Sequence, residues 1–179
     1  FGLFVPQGNG SGYVQDVGHE KRNRAPYNSY NWVFLGAILA PAVTTPGERE
    51  IRVERVFNAP RTHVFSVWTD PQLIPEWWGD GTVVEEMDVR PGGTYRFQTA
   101  FGVVEGEFRE VEPPARLVQT FQNHLQTLEF EDLGEQTKLT QTMRFATTEE
   151  RDTTMQYGVE EGAKQGFARI DAVLEKIAA

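Results

Sequence analysis

Cysteine is absent from this 179-residue chain. Its absence excludes disulfide bonds, thiolate metal sites and cysteine nucleophiles, and it leaves the compartment open. Histidine is scarce, with three copies: His19, His63 on a helix face predicted to be solvated, and His124 in a predicted turn. No two of them have the His-x-x-x-His spacing of a helical zinc site. We therefore expect no metal ion.

Long apolar runs and clustered positive charge are also missing. No run approaches the roughly 18 apolar residues that a membrane-spanning helix needs, so no membrane span is expected. The formal net charge is −9 and the sequence pI is about 4.9. Apart from a short basic cluster at residues 21–24, nothing in the chain would attract phosphate, so nucleic acid is not an expected partner.

Sequence signatures of catalysis are missing as well. We find no Gly-x-Ser-x-Gly nucleophile elbow, no phosphate-binding loop and no dinucleotide fingerprint. Glu105 and Glu107 share one face of a predicted strand, where two carboxylates could act together. In so acidic a chain a solvated face is the favoured interpretation. We therefore predict no catalytic residue and no cofactor.

Residues 1–45 differ in character from the rest of the chain. Three basic and two acidic residues leave them at +1, so residues 46–179 carry −10, and an apolar run covers residues 32–40. Three interpretations stay open: a secretion signal, which Pro41 disfavours; an apolar tail that docks on the domain or on a neighbouring chain, as in a homodimer; or a plug for the domain's own cavity. We favour the docked tail and expect a cytoplasmic protein.

Residues 46–179 show the alternation of an antiparallel sheet. Short apolar–polar alternations separated by turns predict six or seven strands. The predicted strands span residues 50–57, 83–89, 94–100, 103–111, 116–122, 126–133 and 137–145. Two short helices are predicted after the first strand, one leading to Trp68 and one ending in Trp77 and Trp78. Of these two adjacent indoles, we expect one in the core and the other at a rim or pocket wall.

A long helix is predicted after the last strand. From Glu149 to Ala178 there is no proline, and apolar residues recur at three- and four-residue spacing. Gly158, Gly162 and Gly166 form one stripe beside its apolar face, although each interior glycine costs about 0.8–1 kcal/mol relative to alanine. Close approach of helix and sheet backbones is the favoured explanation, and a trough above a ligand cavity is the other.

Several short motifs occur in an order that resembles a known family. They are Ile51-Arg-Val-Glu-Arg-Val-Phe-Asn-Ala-Pro60, Val64-Phe65 with Trp68-Thr-Asp-Pro71, Trp77-Trp78-Gly79, residues 87–97, 110–117 and 128–133, and Gly158 with Gly162. The chain resembles the Hsp90 ATPase activator homologue-like family of the START and birch-pollen-allergen-like superfamily, also called SRPBCC, over about residues 48–176. The resemblance implies an α+β helix-grip fold for residues 46–179: a curved antiparallel sheet wrapped around a long C-terminal helix, with two short helices after the first strand.

The resemblance also implies a cavity between sheet and helix, which relatives use for apolar ligands. The residues predicted to form its wall are Trp78, Phe97, Phe108, Phe121, Met143, Tyr157, Gly162 and Phe167. Because a fold does not fix a function, three functions are weighed. Binding of a small apolar or amphipathic molecule is favoured over a polyketide-cyclase-like enzyme, for which Arg96 and Gln141 are the candidate polar residues, and over a co-chaperone that binds a chaperone partner.

Overall fold

An eight-stranded antiparallel sheet forms the body of residues 40–179, the part of the chain that the structure, a computed structural model, describes. In chain order the strands are β1 (Ala42–Thr44), β2 (Glu50–Phe57), β3 (Val83–Met87), β4 (Thr94–Thr99), β5 (Gly102–Glu112), β6 (Arg116–Phe121), β7 (His124–Asp132) and β8 (Thr137–Phe145). Their order across the sheet is β1-β2-β8-β7-β6-β5-β4-β3. The first long strand, β2, therefore pairs with the last, β8.

Four helices accompany the sheet within these residues. They are α1 (Arg61–Thr69), α2 (Ile74–Trp78), α3 (Thr148–Gln156) and α4 (Val159–Ala178). Within residues 40–179, no helix combines the length and the apolar character that crossing a membrane requires. The predicted α+β class is confirmed: a curved antiparallel sheet packs against a long C-terminal helix, and two short helices follow the first long strand.

Alternation along the strands gives the sheet one buried face. In β2, Ile51, Val53 and Phe57 are buried while their neighbours are partly exposed, so the period-two pattern points these side chains at the core. Register shifts between Val84 and Glu86 in β3, and between Phe108 and Glu110 in β5, interrupt the ladder. Such bulges bend strands, which suits a sheet that curves around a helix.

The first strand was not predicted from the sequence. Val43 of β1 pairs with Val53 of β2, so the sheet begins inside the region interpreted as a tail, before the boundary placed at residue 46. A strand of three residues is too short to show alternation. The predictions for residues 1–39, including the docked tail, lie outside the described residues.

One face of α4 packs on the sheet. Its buried residues are Phe167, Ile170, Val173 and Leu174. Arg55, which is 7% exposed on the same face of β2 as the apolar core, forms an ion pair with Asp171 of α4. The Arg55 guanidinium also lies 5.7 Å from the centre of the Phe167 ring, within cation–π range. These contacts fix the middle of α4 against β2.

The prediction of one continuous C-terminal helix is wrong. The helix begins where expected, because Thr147 and Glu150 form a capping box at the start of α3. However, α3 ends at Gln156, and Gly158 adopts a left-handed conformation with φ +84° before α4 begins. Glycine reaches this conformation without the steric cost that a Cβ imposes, so the first glycine of the stripe is a helix break.

The other two glycines of the stripe lie within α4. Apart from the adjacent residues and the backbone of its own helix, a Cβ added at Gly162 or at Gly166 would meet no heavy atom within 4 Å. The close backbone approach favoured from the sequence is therefore wrong for these two positions. They border open space instead.

Substituting alanine at two glycines of this stripe is expected to change stability in opposite directions. Gly158→Ala should lower the free energy of unfolding by about 1 kcal/mol, because a left-handed conformation strains any residue with a Cβ. Gly162→Ala should raise it by about 1 kcal/mol, because alanine is the better helix former where space is free. Urea denaturation of both variants measures this, and a shift of the same sign in both would contradict the assignment.

Candidate ligand-binding site

A cavity of about 230 Å³ lies between α4 and the sheet. Helices α1 and α2 close one side of it, and strands β2, β6, β7 and β8 supply the rest of the wall, with Val53 and Met143 among the apolar side chains. Since Gly162 lines the cavity and is exposed, the cavity reaches the surface beside α4. Its position is the one that the helix-grip arrangement predicts.

Aromatic rings from α1, α2 and β6 form one side of the cavity. The Trp77 indole N–H donates to the Val67 carbonyl oxygen at 2.9 Å, so its polar group is satisfied. The Trp77 ring packs 5.3 Å from that of Trp68, and Trp78 packs 5.7 Å from Phe121. Both indoles of the Trp77-Trp78 pair are half-buried and both line the cavity, whereas the sequence predicted one of them in the core.

The side of the cavity formed by α4 consists mostly of small residues, with the ring of Phe167 beside them. Gly162, Ala163 and Gly166 line it from α4, together with Val159 from the first turn of this helix. Because the two glycines have no side chain, the space above them stays empty. The glycine stripe is thus part of what makes the cavity, which was the less favoured interpretation of the sequence.

Three polar side chains lie in this otherwise apolar wall: His124, Gln126 and Gln141. The Gln119 amide nitrogen donates to Gln126 Oε1 at 2.7 Å, and both of these residues are buried. The His124 ring packs against Phe121 and Phe145 at centroid distances of 5.3 and 4.9 Å. Burial lowers the pKa of His124 from 6.5 to about 4, so the imidazole is neutral at physiological pH.

Five of the eight residues predicted to form the wall line the cavity: Trp78, Phe121, Met143, Gly162 and Phe167. Phe97 and Phe108 lie in the core beside it. Phe97 packs 5.6 Å from Trp78, and Phe108 packs against Tyr95. These two rings belong to the buried core and do not border the cavity.

Tyr157 lies outside the cavity. Its side chain is 87% exposed and borders a surface groove with Gln122 and Asn123. The cause is the helix break: α3 ends at Gln156, and Tyr157 lies between it and the left-handed Gly158, so this residue does not continue the buried face of α4.

The two candidate polar residues for an enzyme separate in the structure. Gln141 lines the cavity, whereas Arg96 is exposed on β4, where it forms ion pairs with Glu85 and Glu105. Glu107 pairs with Arg109 at 3.1 Å. The two carboxylates considered as a pair are thus each paired with an arginine, in agreement with a solvated face.

His124 is the residue that sequence reasoning missed. The predicted turn at Asn123-His124 is wrong, because Gln122 and Asn123 form the turn and His124 is the first residue of β7, paired with Phe145. The signal was present in the chain. His124 precedes Gln126 and Leu128 at period two, so it shares their buried face.

The fold is expected to lose stability as the pH falls from 6.5 toward 4. In this window the unfolded chain binds a proton on His124 that the folded chain does not, so acid favours unfolding. Above pH 6.5 His124 is neutral in both the folded and the unfolded chain, so the full stability is present there. The total loss of stability on acidification amounts to at most about a few kcal/mol. Urea midpoints of the wild type and of His124→Phe, compared at about pH 7 and about pH 5, measure it. Equal losses in both proteins would show that His124 does not contribute.

Comparison with solved structures supports the fold. A protein from Rhodobacter sphaeroides matches with a TM-score of 0.68 at 22% identity, over 76% of this chain and 98% of that one. One from Mycobacterium smegmatis matches with a TM-score of 0.64 at 24% identity, over 76% and 99%. One from Arthrobacter aurescens matches with a TM-score of 0.64 at 24% identity, over 75% and 91%. At such identities the likeness establishes the fold alone.

The comparison with curated proteins gave no match. The sequence model of one family, described as "Activator of Hsp90 ATPase homolog 1-like protein", matches residues 58–175. This segment holds most of the helix-grip fold, from the end of β2 to the last turns of α4. The chain therefore belongs to the family of Activator of Hsp90 ATPase homolog 1-like proteins.

Proposed function

We propose that this protein binds a small apolar or amphipathic molecule in the cavity between its sheet and α4. Membership of the family indicates a ligand-binding or an Hsp90 co-chaperone-like domain. The observation that favours a ligand is the cavity itself. Its wall combines aromatic rings with the two glycines of α4 that leave the space open.

The size of the cavity limits the ligand. An apolar cavity of about 150 Å³ accommodates benzene, whereas drug-sized molecules occupy pockets of about 300–1,000 Å³. At about 230 Å³, this cavity suits one ring with a short substituent. Transfer of apolar surface from water, at about 25 cal/mol per Å², supplies the driving force.

Extraction of the natively purified protein tests this proposal. The full chain is purified without denaturant, unfolded in organic solvent and analysed by mass spectrometry for released small molecules. We expect a one-ring or amphipathic compound in the wild type that is absent from a Gly166→Leu variant purified in parallel. If no compound is released, and calorimetry detects no binding of para-ethyltoluene, the carrier function is rejected.

Binding of para-ethyltoluene also separates the interpretations of the N-terminal segment. A protein that lacks residues 1–39 keeps every residue of β1 and of the other strands and helices. If the shortened protein binds para-ethyltoluene and the full chain does not, the segment occupies the cavity. Equal binding by both proteins would reject the interpretation as a cavity plug and leave the docked tail and the secretion signal.

An enzyme is the second candidate, and His124 is the observation that favours it. An ionisable side chain in the wall could accept a proton from a substrate held in one conformation. Its pKa of about 4 makes it a weak base at neutral pH, so binding remains the favoured function. Incubation of the extracted compound with wild type and with His124→Phe decides between them. Product formed only by the wild type would establish the enzyme, and recovery of unchanged compound supports the carrier.

A further inference from the structure

The polar side chains of the cavity wall lie together on one face of β7 and β8. His124 and Gln126 are two residues apart on β7, and Gln141 of β8 pairs with Leu128, the next residue on that face of β7. Paired residues of antiparallel strands point to the same side of the sheet. The wall therefore has a polar strip at the sheet, and the tryptophans and α4 supply apolar parts of the same wall.

The strip contains neutral groups only. Among the described residues that line the cavity, none is Lys, Arg, Asp or Glu, and the imidazole of His124 is neutral. An ion brought into such a site would lose its hydration without gaining a partner of opposite charge, which costs many kcal/mol. The chemistry of the wall excludes carboxylates, phosphates and ammonium groups as the buried part of the ligand.

Within this strip, His124 Nε2 needs a hydrogen-bond partner. This nitrogen is fully buried and has none within the described part of the chain, so a ligand group reaches it only when the imidazole turns toward the cavity. An unpaired buried polar atom costs about 1–3 kcal/mol, so such atoms usually mark a water or a ligand. The other ring nitrogen, Nδ1, lies 3.4 Å from Asn123 Oδ1. Because that oxygen accepts only, it favours the hydrogen on Nδ1 and leaves Nε2 as an acceptor.

Donors for the same ligand group come from the glutamines. Gln126 Oε1 already accepts from Gln119, which fixes the orientation of the Gln126 amide and leaves its N–H groups as donors. Gln141 presents a second amide to the cavity. An acceptor and an amide donor on one strip suit a group that donates and accepts at once, and a hydroxyl is the smallest such group.

We propose that the ligand is a neutral one-ring molecule with a hydroxyl group, of the phenol class, whose O–H donates to His124 Nε2 and whose oxygen accepts from the amide of Gln126 or Gln141. The apolar ring would lie between the tryptophans and the glycines of α4. This inference rests on the proposed binding function and adds the chemical class of the ligand.

Three probes of nearly equal size test this assignment. Para-ethylphenol and para-methylanisole are isomers, but only the first has an O–H, and para-ethyltoluene has no oxygen. Titration calorimetry of the full chain should show para-ethylphenol binding about tenfold more tightly than para-methylanisole, the effect of one net hydrogen bond. Para-methylbenzoate should not bind, because the wall has no cation for its carboxylate.

Two substitutions test the role of His124. His124→Phe keeps a ring between Phe121 and Phe145 but removes both nitrogens, so it should abolish the preference for para-ethylphenol over para-methylanisole. His124→Gln places an amide near the position of Nε2 and should restore part of the preference.

The outcomes distinguish this inference from the function on which it rests. Equal affinity of the wild type for all three neutral probes would overturn the hydroxyl assignment and leave the carrier function intact. A preference for the phenol that survives in His124→Phe would overturn the role of His124. If no probe binds to the wild type, the carrier function itself fails.

Discussion

Gly106→Ala is expected to lower the free energy of unfolding by about 3 kcal/mol or more, a large part of the 5–15 kcal/mol typical of a domain. A Cβ at this position of β5 would overlap the backbone carbonyl oxygen of Thr120 and lie 2.7 Å from Tyr95 Oη. The carbonyl belongs to the backbone of β6 and cannot move without distorting the pairing of β5 with β6. The added methyl group therefore forces the two strands apart.

The same methyl group would also displace the side chain of Tyr95. Its ring lies beside Gly106, and its hydroxyl donates to the Thr120 carbonyl oxygen at 2.8 Å. The hydroxyl is buried, and this burial raises the pKa of Tyr95. Losing the hydrogen bond leaves a buried polar group unpaired, which adds to the steric cost.

Urea denaturation of three variants separates these two effects. Tyr95→Phe removes the hydroxyl alone and should cost about 1 kcal/mol. Gly162→Ala adds the same methyl group where space is free and should stabilise the fold. A loss of less than about 1 kcal/mol in Gly106→Ala would show that the strands can move apart and would contradict the close approach.

Gly166→Leu is expected to weaken binding of para-ethyltoluene at least about tenfold while the protein stays folded. Gly166 lines the cavity, and a Cβ there meets no atom within 4 Å, so a leucine side chain would fill the space that the ligand needs. Leucine is also the better helix former, so this variant should be more stable by up to about 1 kcal/mol. Loss of binding could then not be attributed to unfolding.

A matched control adds the same bulk elsewhere on α4. Ala168 is exposed, two residues from Gly166, and it does not line the cavity. Ala168→Leu should therefore bind para-ethyltoluene as the wild type does in titration calorimetry. Equal weakening in both variants, or wild-type affinity in Gly166→Leu, would show that the ligand binds outside this cavity.

Most of the fold follows from alternation, because a sheet with one buried face leaves a period-two pattern in its regular strands. Ile51, Val53 and Phe57 show this in β2, and β4, β7 and β8 show it too, whereas a bulge interrupts it in β5. The C-terminal helix was predicted too long, because its apolar periodicity continues across Gly158. Periodicity does not report the backbone conformation of one residue, and a left-handed φ at Gly158 ends the first helix.

The site was predicted less completely, because it depends on which face each residue takes at the ends of elements. Moving a turn by one residue reverses the side to which the next side chain points. The turn before β7 places Gln122 at φ +50°, where asparagine is the more usual residue, so the sequence suggested Asn123 and His124 instead. This single shift concealed His124, while the helix break removed Tyr157 from the wall.

The aromatic residues show a further limit of sequence reasoning. Phe97, Phe108 and Phe121 all lie on the concave side of the predicted sheet, and nothing in their spacing separates those that border a space from those packed behind it. In the structure Trp78 lies between Phe97 and the cavity, whereas Phe121 reaches the wall. The difference comes from tertiary packing against α2, which no local pattern encodes.

A titration of the isotope-labelled full chain with para-ethyltoluene, followed by NMR, tests the central claim most directly. The account predicts saturable shifts of the indole N–H signals of Trp77 and Trp78, together with the backbone amides of Gly162 and Gly166, because these four residues of α2 and α4 line one cavity. Absence of saturable shifts, or shifts centred on exposed apolar residues such as Phe101, would contradict it.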